Sequence, residues 1–167
     1  VDPLVAADAL ANGASFSGVG ASSARRMPRR PGDKGGGRNA AGYLPGLLNI
    51  DLLELRSPMI YADWYANSRS PFCHTCNRAL DVFENTVPDK AAIIGHNLHQ
   101  TSAHIADLMR QPAADRTTWL REIRVQAHAN HMTLNPQGDV VLHRSLHKFL
   151  ELDDPQMRSM TRAGAWK

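Results

Sequence analysis

Apolar residues run almost unbroken from 47 to 55 (LLNIDLLEL) and stop at Arg56-Ser57-Pro58, a pattern that predicts one buried strand. A short helix is expected over 60–66, and a second helix-like stretch over 77–85, where Leu80 and Phe83 precede the break at Pro88. Residues 91–95 (AAIIG) read as a short apolar strand leading into a helix over 97–110, with Leu98, Ile105, Leu108 and Met109 on one face. Past Pro112, Trp119, Ile123 and Ala127 recur every four residues and predict a helix that starts near Asp115. Asn135-Pro136-Gln137-Gly138 is a turn signal, and Val140-Val141-Leu142 behind it suits a short strand. A last helix is expected over 145–152, closed by Asp153-Asp154-Pro155 and followed by a frayed tail. No internal repeat is visible.

Before residue 43 the pattern is different. Eight of the twelve glycines lie in 1–42, and Arg25, Arg26, Arg29, Arg30, Lys34 and Arg38 cluster over 25–38 with only Asp33 among them. A segment with so little to bury does not offset its chain entropy, so disorder is expected over 1–42. Its cations suit either a solvated linker or an arm that grips phosphates. The division expected is thus a Gly/Arg-rich segment at 1–42, a globular module at 43–155 and a tail at 156–167.

Composition narrows the class only a little. The formal charge of +3 and an isoelectric point near 9.1 permit a nucleic-acid partner without demanding one. No apolar run reaches the ~18 residues that span a bilayer, so no membrane partner is expected. The N-terminal stretch lacks the basic leader and apolar core of a signal peptide, which points to the cytoplasm. Val1 in place of methionine leaves open an excised piece, a processed chain or an alternative start.

The chemistry centres on Cys73-His74-Thr75-Cys76, which holds the only two cysteines, and on His96-Asn97-Leu98-His99. Thiolates at C-x-x-C spacing converge on one tetrahedral zinc at ~2.3 Å, and histidine nitrogens complete such a shell at ~2.0–2.1 Å. His96 is placed to do so, and His99, three residues on, shares its helical face. His74 lies inside the knuckle and suits an outer or exposed position. A redox dithiol is the rival reading, although residues 67–72 before the pair read as loop rather than strand. Two buried cysteines without metal are the plain alternative. His128 with His131 and His143 with His147 have helical spacing but no carboxylate or cysteine in the pattern, which is thin support for a second metal. No H-E-x-x-H, phosphate-cradling G-x-x-x-x-G-K or G-x-S-x-G is present.

The order of parts over 73–109 (CHTCNRALDVFENTVPDKAAIIGHNLHQTSAHIADLM) resembles the zinc-binding C-terminal segment of the tRNA-guanine transglycosylase family. By that resemblance Cys73 and Cys76 match two of three family cysteines and His96 matches the family histidine. Pro71 stands where the first family cysteine would be. His99, a water or a cysteine from another chain would supply the fourth ligand. The resemblance implies an α/β fold, the C-terminal strand–helix part of a (β/α) barrel-like structure with a zinc-knuckle helical subdomain. It also implies a structural zinc, a tRNA or DNA partner, and guanine exchange on a barrel of ~250 residues that this chain is too short to contain. An upstream barrel or a homodimer would be its partner in that case. Asp51 and Glu54 lie near the end of the 47–55 run, but the family motif around them is absent, so neither is taken as catalytic and the chain alone is expected to be inactive. A non-enzymatic zinc module that binds nucleic acid or protein through its basic arm is the other reading.

Overall fold

The structure, a computed structural model, describes residues 3–18, 45–84, 86–134 and 144–154. The expected basic arm, the turn and strand at 135–142, His143 and the tail lie outside them. The described chain is mixed α/β: five α-helices and two small antiparallel β-pairs.

Helix α1 (Pro3–Ala11) falls inside the segment expected to be disordered. Proline suits the first helical turn, where its missing N–H has no partner to lose. Leu4, Ala6 and Ala7 are buried, and the small alanines let the helix sit close against its neighbours. Gly13, at φ 91°, closes it, and the Ala14 N–H bonds back to the Ala9 carbonyl at 2.9 Å.

The apolar run at 47–55 is not one strand. It forms a hairpin, β1 (Leu47–Asn49) against β2 (Glu54–Arg56), with Asn49 opposite Glu54. Asn49 turns the chain, because its Oδ1 accepts the Asp51 N–H at 3.2 Å. Leu53 completes the turn at φ 51°, held in that left-handed conformation while its side chain is buried against Leu4, Ala127, Leu146 and Leu150. Helix α2 (Pro58–Trp64) follows and buries Tyr61, with Tyr65 just beyond its end.

The helix expected over 77–85 is instead the second half of a knuckle. Strands β3 (Phe72–Cys73) and β4 (Arg78–Ala79) pair across the turn 74–77, and a single 3-10 turn (Leu80–Val82) succeeds them. Asn77, at φ 53°, supplies the left-handed residue that closes the turn.

The strand expected over 91–95 is helical. Helix α3 runs unbroken from Lys90 to Arg110. An apolar run of four is too short to separate strand from buried helix by pattern, and here only Ile93 of the run is fully buried. The helix face that turns inward also differs from expectation. Leu98 and Met109 are exposed, while His96, Asn97, Thr101 and His104 join Ile93 and Leu108 inside. Helices α4 (Arg116–Leu134) and α5 (Arg144–Asp153) complete the described fold. Because 91–95 is helix and both sheets are antiparallel pairs, the described residues contain no parallel strand–helix unit of the kind a barrel repeats.

Three regions of core result, one of them Ala7, Leu108 and Leu120 where α1, α3 and α4 meet. Leu47, Leu52, Tyr61, Tyr65, Leu80, Phe83 and Ile93 pack between the hairpin, α2 and the start of α3. Helices α1, α4 and α5 close around Leu4, Leu53, Ala127, Leu146 and Leu150. Between α1 and α5, Arg124 of α4 is buried and holds Asp8 at 2.7 Å and Asp153 at 3.0 Å.

Candidate metal centre

The knuckle turn carries Cys73 at the end of β3 and Cys76 inside the turn; the second and third turns of α3 present His96 and His99 toward them. One ligand atom from each of the four lies within 4.8 Å of every other, and no other such cluster of three or more His, Cys, Asp or Glu occurs among the described residues. The sulfurs are free thiols.

Four atoms at ~2.0–2.3 Å from one tetrahedral ion would stand roughly 3.3–3.8 Å apart. Cys76 Sγ lies 3.5 Å from His96 Nδ1, and His99 Nε2 lies 3.0 Å from Cys73 Sγ and 3.8 Å from Cys76 Sγ. The set therefore has the chemistry and nearly the spacing of a tetrahedral thiolate–imidazole shell. His74 is exposed and stacks edge-on to Phe72 at 5.2 Å, outside the cluster.

His96 is oriented by the β1 backbone. Its Nε2 donates to the Leu48 carbonyl at 2.8 Å, which fixes the tautomer and leaves the Nδ1 lone pair facing Cys76. Burial holds its pKa below the usual imidazole range, so the ring is neutral, the form that coordinates. Phe83 packs edge-on to the ring at 5.4 Å. Asn97 repeats the connection: it accepts the Leu48 N–H at 2.8 Å and donates to the Gly46 carbonyl at 2.7 Å. Two side chains of α3 thus satisfy the open edge of β1 as another strand would.

On the sulfur side, Gln100 Nε2 donates to Cys73 Sγ at 3.4 Å. Burial, with the Cys73 thiol beside it, pushes the Cys76 thiol up to about 11. A dithiol that works in redox exchange without a metal needs the opposite shift, whereas a divalent cation compensates two adjacent thiolates directly.

The other histidines are placed elsewhere. His131 Nε2 donates to the Leu52 carbonyl at 3.2 Å and stands 3.6 Å from Glu54 Oε1, and neither it nor His128 belongs to the cluster. His147 faces Glu151 one turn on, at 3.5 Å. Asp51 is exposed at the hairpin tip, and Glu54 is fully buried beside Arg56 at 3.0 Å. Asn97 and Gln100 are the residues of the site that spacing did not single out; the His96-Asn97 pair was visible in the sequence, but its role required the position of β1.

The architecture and site define a mixed α/β module with a candidate Cys2His2 metal centre. Comparison with protein-family models, with curated proteins and with solved structures gives no match. No helix of the described residues is long and apolar enough to cross a membrane.

Proposed function

We propose that Cys73, Cys76, His96 and His99 hold one structural zinc ion that fastens the 72–79 knuckle to helix α3. The convergence of their four ligand atoms within 4.8 Å carries this reading. Two thiolates and two neutral imidazoles form a closed, charge-balanced shell around Zn²⁺, with no position left for water or substrate, which is the design of a structural site rather than a catalytic one. The Leu48 carbonyl, which accepts from His96 Nε2, and the Gln100 amide, which donates to Cys73 Sγ, are the outer contacts such a shell uses to orient its ligands. Elemental analysis of the purified chain is expected to give about one zinc per chain. Cys73→Ala, His96→Ala and His99→Ala should each empty the site; full occupancy in any of them removes that residue from the shell.

A second reading is the C-terminal, zinc-bearing portion of a transglycosylase-like protein that acts on tRNA or DNA. What supports it is that Cys73, Cys76 and His96, the positions matched in sequence, are also the ones found together in space. In that setting the module supplies binding surface and the chemistry belongs to a separate barrel. Binding to tRNA and duplex DNA, followed as salt is raised, tests the partner: a steep loss with salt is expected, and no binding at low salt overturns this reading while leaving the zinc site intact.

A further inference from the structure

The metal shell is not sealed. Cys76 is partly exposed in the knuckle turn. Cys73, although only 6% exposed, lines a cleft of about 160 Å³ between the hairpin turn at Asn49–Asp51 and the knuckle at Pro71–Phe72. A water occupies ~30 Å³ in the liquid, so this space admits a small oxidant beside the sulfur. The two sulfurs are three residues apart on one turn, and their ligand atoms already lie within 4.8 Å.

We propose that Cys73 and Cys76 are a peroxide-sensitive pair whose oxidation to a disulfide discharges the metal, an inference that rests on the zinc reading above. The Cys73 thiolate, which lines the cleft, attacks one oxygen of hydrogen peroxide, the O–O bond breaks, and hydroxide leaves as water after taking a proton from solvent. The resulting Cys73 sulfenic acid is attacked by the Cys76 thiolate. An S–S bond forms and the second oxygen departs as water with another proton. Two electrons pass from the sulfurs to one peroxide, giving two waters, and the zinc leaves with its charge unchanged. Two histidines remain, too few to retain it, and the 72–79 hairpin loses its tie to α3. Gln100 restrains the reaction, because its hydrogen bond to Cys73 Sγ withdraws electron density from that sulfur.

The experiment uses the full chain loaded with zinc and its stoichiometry measured beforehand. Hydrogen peroxide is added, zinc release is followed with a chromogenic chelator, and the disulfide is read from intact mass. One zinc released per disulfide formed, reversed by dithiothreitol and added zinc, is the expected result. Zinc retained under peroxide, or released without a disulfide, overturns the inference and spares the metal site. A chain that takes up no zinc overturns both. Gln100→Leu keeps all four ligands and should release zinc about fivefold faster, the factor carried by one lost hydrogen bond; a slower release overturns the restraint assigned to Gln100.

Discussion

At the residue scale, the pair His96-Asn97 divides two tasks between adjacent side chains. His96 turns Nδ1 toward Cys76 in the candidate metal centre and donates from Nε2 to Leu48, whereas Asn97 uses both its amide groups on the β1 edge. Substitution of Asn97 by Leu leaves the Leu48 N–H and the Gly46 carbonyl without partners in a buried place. A loss of about 2–4 kcal/mol in denaturant unfolding is expected, with zinc content still near one per chain. His96→Ala should do the reverse and empty the site. If Asn97→Leu also empties it, the two tasks are not separable. A different buried histidine sets the acid limit. Burial, reinforced by His128 and Arg56, lowers the pKa of His131 to about 4. The unfolded ring titrates near ~6.5, so above that pH both states are neutral and stability is level. Between ~6.5 and 4 only the unfolded chain takes up the proton, and stability falls by about 3 kcal/mol as pH drops through this window. His131→Gln can keep the Leu52 contact without titrating, and should flatten this part of a stability–pH profile measured on the metal-free chain. An unaltered slope would assign the acid sensitivity to His96, His104 or His128, whose values are also lowered.

At the scale of elements, what was legible follows from how far each signal reaches along the chain. The grouping of Cys73, Cys76, His96 and His99 and the helices beginning near 115 and 145 rest on short spacings or on several turns of periodicity, and the structure contains them, although His96 stands inside α3 rather than at a strand-to-helix junction. The hairpin at 47–56 was hidden because nine nearly continuous apolar residues mask a turn. The Asx chemistry of Asn49 with Asp51 was its one local sign, and Leu53 is an unusual residue for a left-handed position. Helix α3 misled for the opposite reason. Its buried face carries polar ligands and hydrogen-bonding groups rather than the leucine and methionine that mark an ordinary core face. Helix α1 was missed because its place is fixed by a residue 116 positions away, and no local pattern encodes that. Arg124 sits 4% exposed between Asp8 and Asp153, with its guanidinium 4.1 Å from the Phe149 ring centroid. Arg124→Ala should release α1 and α5 together, at about 3 kcal/mol. Amide exchange is the readout, with protection falling over 3–11 and 144–153. If only one of the two helices loosens, Arg124 is not their common anchor.

At the scale of the whole molecule, the three regions of core differ in how closely they are tied to the candidate metal centre. The knuckle has a ladder of only two residue pairs, far below what an isolated hairpin needs to stand in water. Apart from the cysteines, it is tied to α3 by Arg78, which reaches Asp89 at 3.1 Å and lies 4.3 Å from the Phe83 ring centroid. That ion pair is partly open to solvent, and pairs of this kind contribute about 1 kcal/mol or less. The other tie is Leu80 and Phe83 in the core beneath. Removing zinc should therefore free the knuckle first. The β1 edge would stay on α3, because its bonds to His96 Nε2 and Asn97 do not pass through the ion. The cluster around Leu53, Ala127, Leu146 and Leu150 contains no metal ligand, and its helices are pinned separately by Arg124. Hydrogen exchange on the chelated chain should show protection lost over 72–79 and reduced over 80–83, with 116–134 and 144–153 close to the zinc-loaded values. Loss spread evenly over all helices would mean that the ion holds the entire fold together, as in domains too small to keep a core without one. The separate clusters and the direct β1–α3 bonds argue for the local response, in which a bound ion would shape one exposed turn on a body that folds without it.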